Sequence, residues 1–212
     1  LTIRPSGNSF TYLRAGNSGT LTFDNDWNFG TNLGSFTFGK TTNTTALTYS
    51  NSLTTSGPLT FYTGNTQLDA GVEITTNGSN GHINLLSSNG VGTVANSGST
   101  RGKLMATGGG SIHLNADYDN NNSGTLDIDW LTIDGSSGNV LLEAASFNWN
   151  TGSQVALPEF YSNGGALTLR STSSSNYDIS TNWFAMFGTF GGLTLGREGG
   201  TGVIGLVSCT SC

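Results

Sequence analysis

The chain has 212 residues, including 32 Gly, 31 Thr, 26 Ser and 23 Asn, so four residue types fill just over half of it. Only 9% of the residues are charged and the net charge is -6, which provides no basic surface for nucleic acid. No run reaches the roughly 18 apolar residues of a membrane-spanning helix. Because 11 Phe, 6 Tyr and 4 Trp are spread along the chain, we expect an ordered protein.

A short strand pattern recurs along the chain: Gly, any residue, apolar, polar, apolar. The opening glycines are Gly34, Gly57, Gly81, Gly110, Gly138, Gly165 and Gly191, at intervals of 23, 24, 29, 28, 27 and 26 residues. We attribute these glycines to turns with positive φ. Two or three short strands in about 26 residues are typical of one coil of a β-helix.

Further strand units of the same kind lie between the marked ones, and no window keeps a helical period. These units are Leu47–Tyr49, Leu126–Ile128, Leu131–Ile133, Phe147–Trp149 and Tyr177–Ile179. The sequence therefore predicts an all-β fold in which residues 1–212 form a single β-solenoid of about eight rungs. Leu, Ile, Val and Phe would stack inward, and Thr, Ser and Asn would form the outer faces and inner polar ladders.

A longer repeat overlies the short one. Leu1–Arg4 is similar to Leu167–Arg170, and Phe36–Lys40 is similar to Leu193–Arg197. We therefore predict that residues 1–166 form one large repeat and that residues 167–212 begin a second. The pattern fits a segment of a longer tandem array, or a second repeat that has degenerated.

The amino-acid sequence of several segments resembles that of the repeat regions of large secreted bacterial adhesins related to filamentous haemagglutinin. The segments are Phe36–Leu47, Leu53–Tyr62 and Gly110–Ile128. The resemblance implies a right-handed parallel β-helix and a large exported polypeptide. It also implies a location outside the cell or on its surface, with a role in attachment, biofilm or surface filaments.

One loop has the residue types that Ca²⁺ prefers. Asp117, Asp119 and Asn121 place oxygen side chains at alternate positions before Gly124. The loop differs from the compact calcium pattern because its Gly comes late and no Glu follows at position twelve. Calcium binding and a solvated turn are both open, and no other cofactor is expected.

The sequence does not favour an enzyme. Asp127, Asp129 and Asp134 lie on successive strand units, as paired carboxylates of a glycosidase would. However, the nearby bases Arg101 and Lys103 fall in a Gly/Ser-rich stretch that we interpret as a loop. His82 and His113 take polar strand positions, so we expect them to point outward or toward a neighbouring rung.

The last part of the chain offers candidate contacts between molecules. The segment from Trp183 to Phe190, which includes Phe184 and Phe187, is the densest apolar patch. It fits either a core or a partner surface. Cys209 and Cys212 could be local thiols, a local disulfide or cross-links between chains.

We expect a structural protein of an extracellular fibre or adhesin stalk that assembles head to tail with copies of itself. Neither end of the sequence has the pattern of a polar cap, so the expected end contacts are Leu1, Ile3, Val203, Ile204 and Leu206. The chain begins at Leu1 without Met, as a processed protein or a segment of a longer one would. The alternative is a module that binds cell-surface or matrix glycans, or ice, through a flat Thr/Asn-rich face.

Overall fold

A computed structural model describes residues 1–4, 6–7, 20–23, 33–93, 100–148, 157–172, 179–180, 185–198 and 204–205. All strands in these ranges pair in parallel, and no helix occurs among the described residues. The predicted all-β solenoid is thereby confirmed. The same part of the chain contains no helix that could cross a membrane.

The first face is a path of eight stacked strands, each from a different coil. They are β1 (Thr2–Ile3), β3 (Phe36–Phe38), β6 (Leu59–Leu68), β8 (Ile83–Thr93), β10 (Ile112–Asn115), β13 (Val140–Ala144), β16 (Ala166–Ser171) and β19 (Gly192–Leu195). All seven glycine-opened units lie in this path and in register, so that Ile112 pairs with Val140 and Val140 with Leu167.

The second face is a separate sheet of six strands. Its members are β5 (Leu53–Thr55), β7 (Glu73–Thr76), β9 (Gly102–Ala106), β12 (Leu131–Asp134), β15 (Glu159–Asn163) and β18 (Ala185–Thr189).

The third face continues from the long strands β6 and β8, whose second halves stack with shorter strands. These are β2 (Thr20–Phe23), β4 (Ala46–Tyr49), β11 (Thr125–Asp127) and β14 (Ser146–Phe147). A separate pair is formed by β17 (Ile179–Ser180) and β20 (Ile204–Gly205).

The solenoid has about five turns, fewer than the eight rungs predicted. The second face has six strands, which gives five steps from one coil to the next. The first face has two further strands, β1 and β19, at its two ends. The predicted number came from dividing the whole chain length by 26, which includes residues outside the described ranges.

The core lies between the faces as vertical columns of apolar side chains. In the strands of the central coils, alternate residues are fully buried, as Phe36 and Phe38 are in β3. The polar ladders predicted for the interior are present as well: the hydroxyl oxygens of Thr63, Thr66 and Ser87 lie 2.6 Å from one another, and all three side chains are fully buried. Each hydroxyl thus has a partner without water.

The glycines that open the first-face strands have a different role from the one predicted. All seven lie among the described residues, and none has a positive φ. A Cβ on Gly138 would lie 2.0 Å from the carbonyl oxygen of Gly110 in the preceding coil, and one on Gly165 would lie 1.9 Å from that of Gly138. In five of the seven the backbone of the preceding coil approaches too closely for a side chain, and these five are Gly57, Gly110, Gly138, Gly165 and Gly191.

Candidate binding groove on the second face

The outward side chains of the second face form two rows that run along the solenoid. In one row the coils contribute Glu73, Lys103, Thr132 and Glu159 in register. In the other they contribute Thr75, Met105, Asp134, Tyr161 and Phe187. Since parallel coils repeat the same strand position, residues far apart in sequence become neighbours about 4.8 Å apart.

The two rows line an open groove of about 510 Å³. We call it the second-face groove and define it by Glu73, Arg101, Lys103, Asp134, Glu159 and Tyr161. With three carboxylates and two bases it carries a small excess of negative charge. Lys103 lies within β9, which corrects its prediction as a loop residue, and Arg101 directly precedes that strand.

Arg101 lies along one side of the groove. Its Nη2 is 3.1 Å from Glu159 Oε1 and its Nη1 donates to the carbonyl oxygen of Leu157 at 2.7 Å. Both side chains of the ion pair are only 23% exposed. This pair joins coils that are not adjacent, because β12 lies between β9 and β15.

Trp130 stands beside Arg101 in an unusual backbone conformation. Its φ is 61°, a value that is rare for a bulky residue. The guanidinium carbon of Arg101 lies 6.0 Å from the centre of the indole ring. The strained residue therefore contacts the cation that forms the wall of the groove.

The C-terminal end of the groove is aromatic. The rings of Tyr161 and Phe187 stack with their centres 4.7 Å apart and their planes 15° apart. Burial raises the pKa of the Tyr161 hydroxyl, and the neighbouring charge of Glu159 raises it further. Tyr161 is therefore protonated at neutral pH, and its hydroxyl lies 3.5 Å from Glu159 Oε2 as a donor.

A second cluster of charged residues lies on the first face and is centred on Glu143. His113 Nε2 lies 2.6 Å from Glu143 Oε2, and Arg170 Nε donates to Oε1 at 2.6 Å. Asn115 Nδ2 also reaches Oε2 at 3.3 Å. His113 thus points to a neighbouring rung, as predicted, and the cluster ties three successive coils together.

The Glu143 cluster gives a pH-dependent stability. Burial acts to raise the pKa of Glu143, but hydrogen bonds from His113 and Arg170 and their charges outweigh it, so the pKa lies below the ordinary value of 4.5. The stabilisation is therefore complete above the unfolded pKa and is lost as the pH falls through the folded pKa. We expect Glu143→Gln to lower stability by roughly 1–3 kcal/mol at pH 7 and by much less at pH 3.

Thermal unfolding monitored by circular dichroism between pH 7 and pH 3 measures this difference. Glu198→Gln is the control, because Glu198 is exposed and no hydrogen bond or ion pair to it is described. A destabilisation of Glu143→Gln that is the same at both pH values would contradict the expectation.

The predicted calcium loop is held together by its own hydrogen bonds. Asp117 is fully buried and its Oδ1 accepts from the Asn121 amide at 3.0 Å. Its Oδ2 accepts from the Asn122 amide at 3.2 Å and from the Thr172 hydroxyl at 2.5 Å. Asp119 Oδ2 accepts from Asn121 Nδ2 at 2.9 Å. Calcium binding stays a prediction, and no cluster of three or more His, Cys, Asp or Glu suited to a metal occurs in the described ranges.

The carboxylates considered for glycoside hydrolysis lie in different surroundings. Asp134 faces the second-face groove, whereas Asp127 accepts a hydrogen bond from Asn148 on the third face. Asp129 is buried. No two of these three carboxylates flank a common cleft.

The predicted interface residues divide into two groups. Of those described, Leu1 is 58% and Phe187 41% exposed, whereas Ile3 and Phe190 are partly buried against the core. Ile204 lies in the backbone of β20. Outside the described residues lie Trp183, Phe184, Val203, Leu206, Cys209 and Cys212.

The pattern of strand units did not predict the groove, because most residues of the groove lie outside the glycine-opened units. Glu73, Lys103, Thr132 and Glu159 are spaced by 30, 29 and 27 residues. These spacings differ from the mean period of about 26, so a fixed period does not place the four residues in one row.

Comparison of the chain with protein-family models, with curated proteins and with solved structures finds no match in any of the three.

Proposed function

We propose that this solenoid is a structural segment of an extracellular fibre or adhesin stalk, in which further coils stack on the end formed by β18 and β19. Those coils belong to the same polypeptide or to another copy. The proposal combines the β-solenoid fold with the resemblance of the sequence to adhesin repeats, and one observation carries it.

That observation is an uncovered end of the core columns. Leu167 and Phe160 are fully buried, but the residues stacked above them, Leu193 and Met186, are 45% and 37% exposed. We call Met186 and Leu193 the open end. Among the described residues no polar cap covers it.

The backbone of the open end supports the same proposal. β18 and β19 are the last strands of their sheets in the described part of the chain. A parallel strand stacked on them would pair their outer backbone groups and cover their apolar side chains at once. Full burial of each such side chain contributes roughly 1.5–3 kcal/mol. Stacking of this kind is heterologous, so it extends a rod and does not close a dimer.

Sedimentation velocity and negative-stain electron microscopy of the purified chain test the proposal. We expect concentration-dependent assembly into thin unbranched rods, and we expect Leu193→Asp to shorten or abolish them. Met186→Asp is a second variant with the same expected effect, because Met186 stacks on the buried Phe160 and is 37% exposed. Thr194→Asp is the matched control. Thr194 is exposed and occupies the outward position next to Leu193, and its substitution by Asp adds the same charge.

Circular dichroism melts must show that the variants remain folded. A chain that stays monomeric at high concentration would contradict self-assembly. A natural polypeptide no longer than this chain, combined with that result, would overturn the structural proposal as a whole.

A further inference from the structure

We propose that the second-face groove binds an extended, uncharged glycan whose sugar units lie along the solenoid axis. This site is independent of the proposed structural role, because it lies on the side of the solenoid and not at the open end.

The shape of the groove indicates an extended ligand. Its lining runs from Glu73 in β7 to Tyr161 in β15, which is three coil steps or about 14 Å at about 4.8 Å per step. A volume of about 510 Å³ falls in the usual range of small-ligand sites. The floor is the face of a fully paired sheet, so a peptide could not add to it as a strand.

The charges of the groove exclude a strongly charged ligand. Lys103 pairs with Glu73, and Arg101 pairs with Glu159. The remaining carboxylate, Asp134, accepts the amide of Ser136 at 2.8 Å. A polyanion would be repelled, because the groove has three carboxylates and only two bases. A cation would have to compete with Lys103 and Arg101 for the carboxylates to which they are already paired.

The same groups suit hydroxyl groups. A lysine ammonium has three N–H donors and an arginine guanidinium has five, and the described bonds use one of Lys103 and two of Arg101. Carboxylate oxygens of Glu73 and Glu159 provide acceptors in the same row. Alternating donors and acceptors fixed in ion pairs match the hydroxyls of a sugar ring, which act as both.

The apolar residues complete the match. Met105 and Tyr161 both line the groove, and the Tyr161 ring is stacked on that of Phe187. Sugar rings have apolar C–H faces that pack on such surfaces, while the Tyr161 hydroxyl supplies a polar edge. The indole ring of Trp130 lies 6.0 Å from the guanidinium carbon of Arg101 and helps to fix this side chain before a ligand binds.

Isothermal titration calorimetry with two neutral probes, cellotetraose and chitotetraose, tests the proposal. We expect wild-type protein to bind at least one of them with a Kd below about 1 mM. Tyr161→Ala and the double variant Glu73→Ala/Lys103→Ala are each expected to weaken that binding at least tenfold. The double variant conserves net charge, and its partners are 41% and 42% exposed, so its fold should be unaffected.

Asn84→Ala, on the outward side of the first face, is the matched control and should bind as wild type does. Tetragalacturonate, the charged probe, should bind at least tenfold more weakly than the better neutral tetramer. Failure of both neutral probes to bind, equal affinity in the groove variants, or preference for tetragalacturonate would each overturn the proposal. Rod assembly by electron microscopy reports on the open end separately.

Discussion

Gly138→Ala should lower the melting temperature by roughly 6–12 °C, corresponding to about 3 kcal/mol. The added Cβ would lie 2.0 Å from the carbonyl oxygen of Gly110 and 2.6 Å from its carbonyl carbon. These are backbone atoms within a stacked column, so they cannot move without separating two coils. The alanine side chain is apolar and small, and the loss would therefore come from the close approach alone.

Gly34→Ala is the matched control for this prediction. Gly34 opens the same kind of strand unit, but no heavy atom lies within 4 Å of its Cβ position. We expect a change within about 0.5 kcal/mol. Thermal melts of both variants by circular dichroism make the comparison, and equal melting temperatures would show that the glycine column does not depend on coil spacing.

Asp117→Ala should destabilise the protein by about 3 kcal/mol. The substitution removes the buried carboxylate that accepts hydrogen bonds from the amides of Asn121 and Asn122 and from the hydroxyl of Thr172, and a hydrogen bond to a charged group contributes about 1.5–3 kcal/mol. Asp119→Ala, two residues away and exposed, should change stability by less than about 0.5 kcal/mol. Chemical denaturation of the two variants and wild type measures both values.

The same variants separate a hydrogen-bonded turn from a calcium loop. We expect a chelator to leave the wild-type melting temperature unchanged, because both oxygens of Asp117 already accept hydrogen bonds from the protein. If calcium raises that temperature and Asp119→Ala removes the effect, the loop binds the metal and the turn interpretation is wrong.

The first face was predictable because its information is local. Each unit from Phe36 to Leu195 carries two inward apolar residues around one outward residue, which is polar in all of them except Val140–Leu142, and stacking repeats that pattern in successive coils. A strand that obeys the period-two pattern can be recognised without knowledge of its neighbours. The reason for the glycines was not predictable, since the distance to the previous coil is a property of the stacked fold.

The second-face groove was not predictable from local patterns. In β7, Glu73 opens a strand with one large apolar residue, Ile74, and in β15 Glu159 precedes Phe160 in the same way. In the sequence alone, charged residues at such positions are typical of solvated loops. Only the strand register shows that Lys103 lies beside Glu73. Contacts between residues 30 positions apart, as these are, depend on coil lengths that vary along the chain.

Several side-chain contacts among the described residues skip a coil, and they change how the solenoid should unfold. Arg101 reaches Glu159 across the coil of β12, and Asp117 reaches Thr172 across the coil of β13. In a repeat protein stabilised only by adjacent repeats, coils separate one after another from an end. Here, release of the strand that carries Glu159 removes support from Arg101 two coils away, and Thr172 and Asp117 are linked likewise. We therefore expect the coils from β9 to β16 to unfold together and not one after another from an end.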